Sequence, residues 1–235
     1  RLMRGLTGLD AAADAHGFVV AYPDGTGLIQ TWNAGGLPAM ASRADDVQFT
    51  RDLLDDLKAV TAVDPNRVYA AGFSNGGMMA YKLANELSDR FAAVCAVGGT
   101  MTYATPAPKR PVPVIHFHGT EDGFVPYKGS GGGGVRGPAL KSVDFTAAAW
   151  AKANGCPPDP ADADEPDADP ADGCRVKRRT YGPGTGGAEV VVYTIEGGGH
   201  TWPGRPAAGG FLGRSTKDID ANARMWDFFR KHTRK

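Results

Sequence analysis

The chain has 235 residues, enough for one sizeable α/β domain and short for two. Hydrophobic residues make up 42% and charged residues 22%, an ordinary globular balance, and no apolar run approaches the ~20 residues of a membrane span. Lys plus Arg and Asp plus Glu both number 26, and a zero net charge argues against nucleic acid or an anionic membrane as partner.

Residues 2–15 place Leu2, Leu6, Leu9 and Ala13 at helical spacing, and His16-Gly17 ends that helix. Residues 18–22 (FVVAY) read as a short buried strand closed by Pro23-Asp24-Gly25, and an irregular loop with Trp32-Asn33-Ala34-Gly35-Gly36 follows. Residues 44–61 form an amphipathic helix with Val47, Leu54, Leu57 and Val60 on one face, closed off by Asp64-Pro65. Residues 67–71 are a strand, 75–87 a helix, and 91–97 and 112–117 strands. The glycine-rich run 129–138 reads as a mobile surface loop, and 142–154 as a helix with Phe145, Ala149 and Trp150 facing inward. Residues 157–172, acidic and rich in proline, cannot pack a core and are expected exposed. Residues 176–181 and 189–195 are strands, paired antiparallel, and 217–231 is a terminal helix whose basic end, 230–235, is solvated. Strands alternating with helices predict a single α/β domain over 1–235, a mostly parallel sheet covered on both faces.

Cys95 reads as a buried free thiol. Cys156 and Cys174 bracket the acidic loop, and a disulfide between them would tether it and imply an oxidising compartment.

Gly72-Phe73-Ser74-Asn75-Gly76 fits the G-x-S-x-G nucleophile elbow, with an apolar strand before it and a helix after it. The turn must be so tight that side chains two positions either side of the serine would clash. The helix N-terminus then favours negative charge near Ser74, and the Asn75 N–H is the expected oxyanion donor. Asp122 follows the strand 112–117 in His116-Phe117-His118-Gly119-Thr120-Glu121-Asp122 and is the expected acid, with Glu121 as the alternative. His118 reads as loop-shaping. His200, after Gly197-Gly198-Gly199, is the expected base; His16 and His232 fit worse. The order Ser, Asp, His is that of α/β-hydrolases. This chemistry requires neither metal nor cofactor. His116-x-His118 lacks a third ligand at helpful spacing, and the Asp run 159–172 resembles a calcium loop only in composition.

The segments GFVVAYPDG, WNAGG, DDVQFTRDLLDDL, VDPNRVYAAGFSNGGMMAYKLA, HGTEDGFVPY and EGGGHTWPG, in this order, resemble secreted polyhydroxybutyrate depolymerase-like esterases. That group shares carbohydrate esterase family one with feruloyl and acetylxylan esterases. The resemblance implies an α/β-hydrolase fold, hydrolysis of carboxylic esters outside the cytoplasm, and a triad of Ser74, Asp122 and His200. Substrates it implies are hydroxyalkanoate, feruloyl or acetyl esters. Where many members carry cysteines after WNAGG, this chain has Leu37-Pro38. Trp32 and Trp202 flank the motifs and are candidates for the substrate pocket, with core packing as the other reading. A non-catalytic binding module and a peptidase are the competing functional classes. Finally, the family places a strand and a His-Gly oxyanion loop ahead of the first helix. That strand is expected between 18–22 and 67–71, so the natural protein is expected to be longer and this chain to lack the second oxyanion donor.

Overall fold

A computed structural model describes residues 2–27, 30–35, 43–131, 139–207 and 209–234. Leu37, Pro38 and most of the glycine-rich run 129–138 lie outside the described residues. In chain order the elements are α1 (Leu2–Thr7), α2 (Leu9–His16), α3 (Asp46–Val60), β1 (Tyr69–Phe73), α4 (Asn75–Glu86), β2 (Ala93–Val97) and β3 (Val114–Gly119). Then come α5 (Val143–Ala153), β4 (Ala161–Asp164), β5 (Arg175–Tyr181), β6 (Val190–Glu196) and α6 (Ala221–Phe229).

Among the described residues six strands make one sheet in the order β1-β2-β3-β6-β5-β4. The pairs β1–β2, β2–β3 and β3–β6 are parallel, whereas β6–β5 and β5–β4 are antiparallel, as predicted for β5 and β6. Period-2 alternation sorts the side chains into two layers. Val94, Ala96, Val114, Val190 and Val192 pack with α4 and α5. Cys95, Val97, Ile115, Phe117, Val191, Tyr193 and Ile195 pack on the other face with Leu9 and α6. Both faces are thus covered, as an α/β-hydrolase sheet requires.

Several expectations need correction. The first helix is two, because Gly8 adopts the left-handed conformation (φ 60°, ψ 27°) and breaks the helical path. Residues 18–22 keep a strand-like alternation, with Phe18, Val20 and Tyr22 half-buried, yet they join no ladder among the described residues. Among the described residues β1 is the last strand on that side, and Val20 and Tyr22 pack over the layer of α6 instead. In α5 the inward positions are Val143, Thr146, Ala147, Trp150 and Ala151, an i, i+3, i+4, i+7, i+8 stripe; Phe145 falls off it and is 48% exposed. In α3, Val47 and Leu54 pack on the core, but Val60 lies past the covered turn and is exposed. The acidic segment is exposed through Asp164, but it is not all loop: β4 adds to β5 as an edge strand. Cys156 and Cys174 are free thiols, since Cys156 packs with the α5 layer and Cys174 with the opposite one. The basic tail is solvated only in part: Arg230 and Lys231 are exposed, but Arg234 N–H donates to Asn66 O at 2.9 Å, and Tyr69 Oη donates to His232 O at 2.9 Å.

Candidate active site

The C-terminal ends of β1, β3 and β6 lie side by side on one rim of the sheet, once β2 is counted between the first two. Each leads into the loop of one of the three candidate residues. Ser74 follows β1 directly and stands at φ 57°, ψ −121°, a left-handed backbone that a non-glycine residue adopts only under constraint. Its N–H donates to Val97 O at 2.8 Å and its C=O accepts from Met78 N, so β2 and α4 hold the strained turn from both sides. A Cβ on Gly72 would sit 2.0 Å from Gly76 O, which is why that position must be glycine. The other glycine of the motif differs. A Cβ on Gly76 would meet only Trp32 Nε1, at 4.0 Å, so the expected clash is one-sided.

Asp122 and His200 are brought together. His200 Nδ1 donates to Asp122 Oδ2 at 2.7 Å, and both side chains are buried. Asp122 Oδ1 accepts from Phe124 N at 2.9 Å and Val125 N at 2.8 Å. Burial pushes the Asp122 carboxyl up, but the His200 hydrogen bond and charge and the Val125 N–H outweigh it, holding it below the usual carboxylate range. Glu121, the alternative acid, points outward with its side chain 64% exposed, opposite Arg214. The imidazole of His200 lies over the elbow: Phe73, the residue before the serine, packs on it at 4.6 Å between ring centroids. Among the described residues no hydrogen bond joins Ser74 Oγ to His200.

The histidines of β3 form a buried chain that goes beyond the loop-shaping role expected of His118. Both face the α4–α5 layer, as alternate residues of one strand must. Tyr81 Oη donates to His116 Nδ1 at 2.8 Å, His116 Nε2 donates to His118 Nδ1 at 3.0 Å, and His118 Nε2 donates to Val125 O at 2.7 Å. The last carbonyl, an obligate acceptor, fixes the direction of the whole chain. His118 Nε2 also lies 3.4 Å from Asp122 Oδ2, so the chain ends against the acid. Burial lowers the pKa of both histidines, that of His116 well below the ordinary value. The only trace of this chain in the sequence is the i, i+2 spacing of His116 and His118, which puts both rings on one face of a strand.

Asn75 begins α4, and its N–H has no acceptor within the helix. The Asn75 side chain also braces the neighbouring loop, because Oδ1 accepts from Trp32 N at 2.7 Å and Nδ2 donates to Trp32 O at 3.1 Å. The adjacent backbone is held as well, by Lys82 Nζ on Asn33 O at 2.7 Å and Asp46 Oδ2 on Asn33 N at 2.6 Å. Trp32 is therefore fixed beside the elbow, half-buried and stacked on Phe49. Trp202 is elsewhere. It is 3% exposed, packs in the α6 layer, and its Nε1 donates to Asn222 Oδ1 at 2.9 Å, so packing has claimed it. A separate cavity of about 400 Å³ lies between β5, β6 and α6, and none of the three candidate residues lines it.

Residues 42–131 match the phospholipase/carboxylesterase family. Over 233 residues the chain is 37% identical to NocK, named an esterase, of Nocardia uniformis subsp. tsuyamanensis, covering 91% of this chain and 66% of the relative. It is 35% identical over 201 residues to feruloyl esterase B of Piromyces equi, covering 80% of this chain and 35% of that one. The chain thus spans under two thirds of the length of these relatives. Among solved structures, the acetyl xylan esterase of Aspergillus awamori superposes with a TM-score of 0.58 at 15% identity, over 84% of this chain and 77% of that one, a likeness of fold. Fold and relatives together place the chain among the esterases of the α/β-hydrolase superfamily.

Proposed function

We propose that the chain is a serine esterase that cleaves feruloyl or acetyl esters of polysaccharide through an acyl-enzyme. The observation that carries this reading is the 2.7 Å His200–Asp122 bond over a serine held at φ 57°. With Nδ1–H committed to Asp122, the lone pair of His200 is on Nε2, the nitrogen that takes the proton from Ser74 Oγ as it attacks the carbonyl carbon. The carbonyl oxygen becomes an oxyanion at the start of α4, where the Asn75 N–H and the helix dipole stabilise it. His200 then delivers its proton to the departing alkoxide oxygen. Water, activated by the same nitrogen, releases the acid from Ser74. The names of the relatives favour feruloyl and acetyl esters, and hydroxybutyrate oligomers are the comparison substrate. Polysaccharide esters are met outside the cytoplasm, so the enzyme acts there.

The test is turnover of p-nitrophenyl acetate, methyl ferulate, acetylated xylan and hydroxybutyrate oligomers by the wild type and Ser74→Ala. Ser74→Ala should lower kcat by up to about a millionfold. An intact wild type without turnover, or a Ser74→Ala variant as active as wild type, would leave a binding module or a different nucleophile.

A further inference from the structure

We propose that Phe124 and Phe211 form the subsite that reads the alcohol half of the ester, and that this subsite takes a sugar ring. The proposal rests on the esterase reading above. Phe124 is 54% exposed and Phe211 76% exposed. Single exposed apolar side chains are ordinary; these two are adjacent and sit beside the base. The Phe124 ring lies 5.1 Å from the His200 ring, and Phe211 meets Phe124 edge-on at 6.2 Å and 67°. Phe73 covers one flank of the imidazole from within, and Phe124 is the outer flank.

The rings are exposed while their backbones are tied to the catalytic pair. Phe124 N–H donates to Asp122 Oδ1, and Phe211 rides on the short turn Gly210–Leu212, whose Leu212 C=O accepts from His200 N at 2.7 Å. A Cβ on Gly199 would sit 2.1 Å from Leu212 O, so the two loops are pressed together. Two loops from distant parts of the chain each bring one solvent-facing phenyl ring to the same side of His200.

The chemistry assigns that side. His200 must protonate the leaving oxygen, which therefore lies within hydrogen-bond reach of the imidazole. The carbon skeleton carried by that oxygen extends over the exposed flank of His200, where Phe124 and then Phe211 are met. The acyl carbon is bonded to Ser74 and its oxygen lies at the start of α4, beside Trp32. Alcohol and acyl halves thus meet different aromatic residues. Glu121 and Arg214, 3.9 Å apart and both exposed, bridge the same two loops and supply a polar rim. An apolar corner with a charged rim suits a ring with one C–H face and hydroxyls at its edge.

The experiment measures kcat/KM of wild type, Phe211→Ala, Phe124→Leu and Trp32→Ala on four esters: methyl ferulate, feruloyl arabinose, methyl acetate and acetylated xylose. Phe211→Ala and Phe124→Leu should each lower the sugar esters about tenfold more than the methyl esters, with either acyl group. Trp32→Ala should instead separate feruloyl from acetyl esters, whatever the alcohol. Phe211→Ala should keep the wild-type melting temperature, since its ring is largely solvent-facing. Equal losses on methyl and sugar esters, or losses that follow the acyl group, overturn the proposal. Wild type inactive on all four esters overturns the esterase reading itself.

Discussion

Asp122 and Glu121 are neighbours in sequence with opposite fates: one is 4% exposed and bonded to His200, the other is 64% exposed at the side chain. Asp122→Asn should therefore lower kcat by about ten-thousandfold, because the histidine loses the partner that sets its tautomer. Glu121→Gln should change kcat less than about tenfold in the same assay, as expected of an exposed side chain outside the proposed catalytic pair. His118 braces the Asp122 loop through Val125 O and lies against Asp122 Oδ2, so it is proposed as a positioning residue for the proposed acid. His118→Ala should reduce kcat by about tenfold to a hundredfold with KM nearly constant, and His118→Gln, which keeps a donor near Val125 O, should recover part of it. An equal fall in both variants would remove the hydrogen bond from the explanation. The two tryptophans divide likewise. Trp202→Ala should destabilise the fold by about 3–5 kcal/mol in urea unfolding, as for a large buried ring, whereas Trp32→Ala should act on substrate selection.

At the scale of elements, the elbow makes the sharpest prediction, because its motif treats two glycines alike and the structure does not. Gly72→Ala drives a methyl to 2.0 Å from Gly76 O, so β1 and α4 must separate and Ser74 moves with them. Loss of most turnover is expected, with a lowered melting temperature. Gly76→Ala places its methyl in open space beside Trp32 and adds a better helix former, so turnover should fall less than about tenfold and stability should hold. A similar dependence on neighbours explains why α5 keeps Trp150 and Ala149 on the core as expected but leaves Phe145 outside. Three apolar residues, Phe145, Ala149 and Trp150, are legible in the sequence, but which ~100°-wide stripe faces the sheet depended on where Trp150 found its neighbours. Residues 18–22 carry the alternation of a strand, and alternation reports burial on one side, not a hydrogen-bonded neighbour.

For the molecule as a whole, the buried pair His116 and His118 ties stability to pH. Burial lowers both pKa values in the folded state, that of His116 furthest, so folding favours their neutral forms. The unfolded chain protonates them near pH ~6.5. Stability is thus fully present above about pH 6.5 and falls as pH drops below it, by about 1.4 kcal/mol per pH unit for each histidine that stays neutral when folded. Asp122 adds a separate loss at lower pH: its depressed pKa contributes stability above the unfolded value of about 3.9, lost as pH falls through the folded one. Urea midpoints from about pH 8 to about pH 5 should show the first decline, and His116→Gln should flatten it by about half. A flat wild-type profile across that range would mean that the pair is protonated in the folded state.

What the sequence determined by itself was local and ordered. The elbow between a strand and a helix, the acid loop after β3, the glycine-flanked histidine after β6, and the order of the three residues along the chain all follow from spacing, turn chemistry and the period of apolar residues. Only the tertiary structure decided which face and which partner each side chain met. It sent Cys156 and Cys174 to opposite layers, buried Trp202 under α6 while clamping Trp32 to Asn75, and joined Tyr81 to His118 through His116. Most of these outcomes are contacts between residues far apart in the chain, made or refused by how two layers close on one sheet, and periodicity along a single segment carries no record of them.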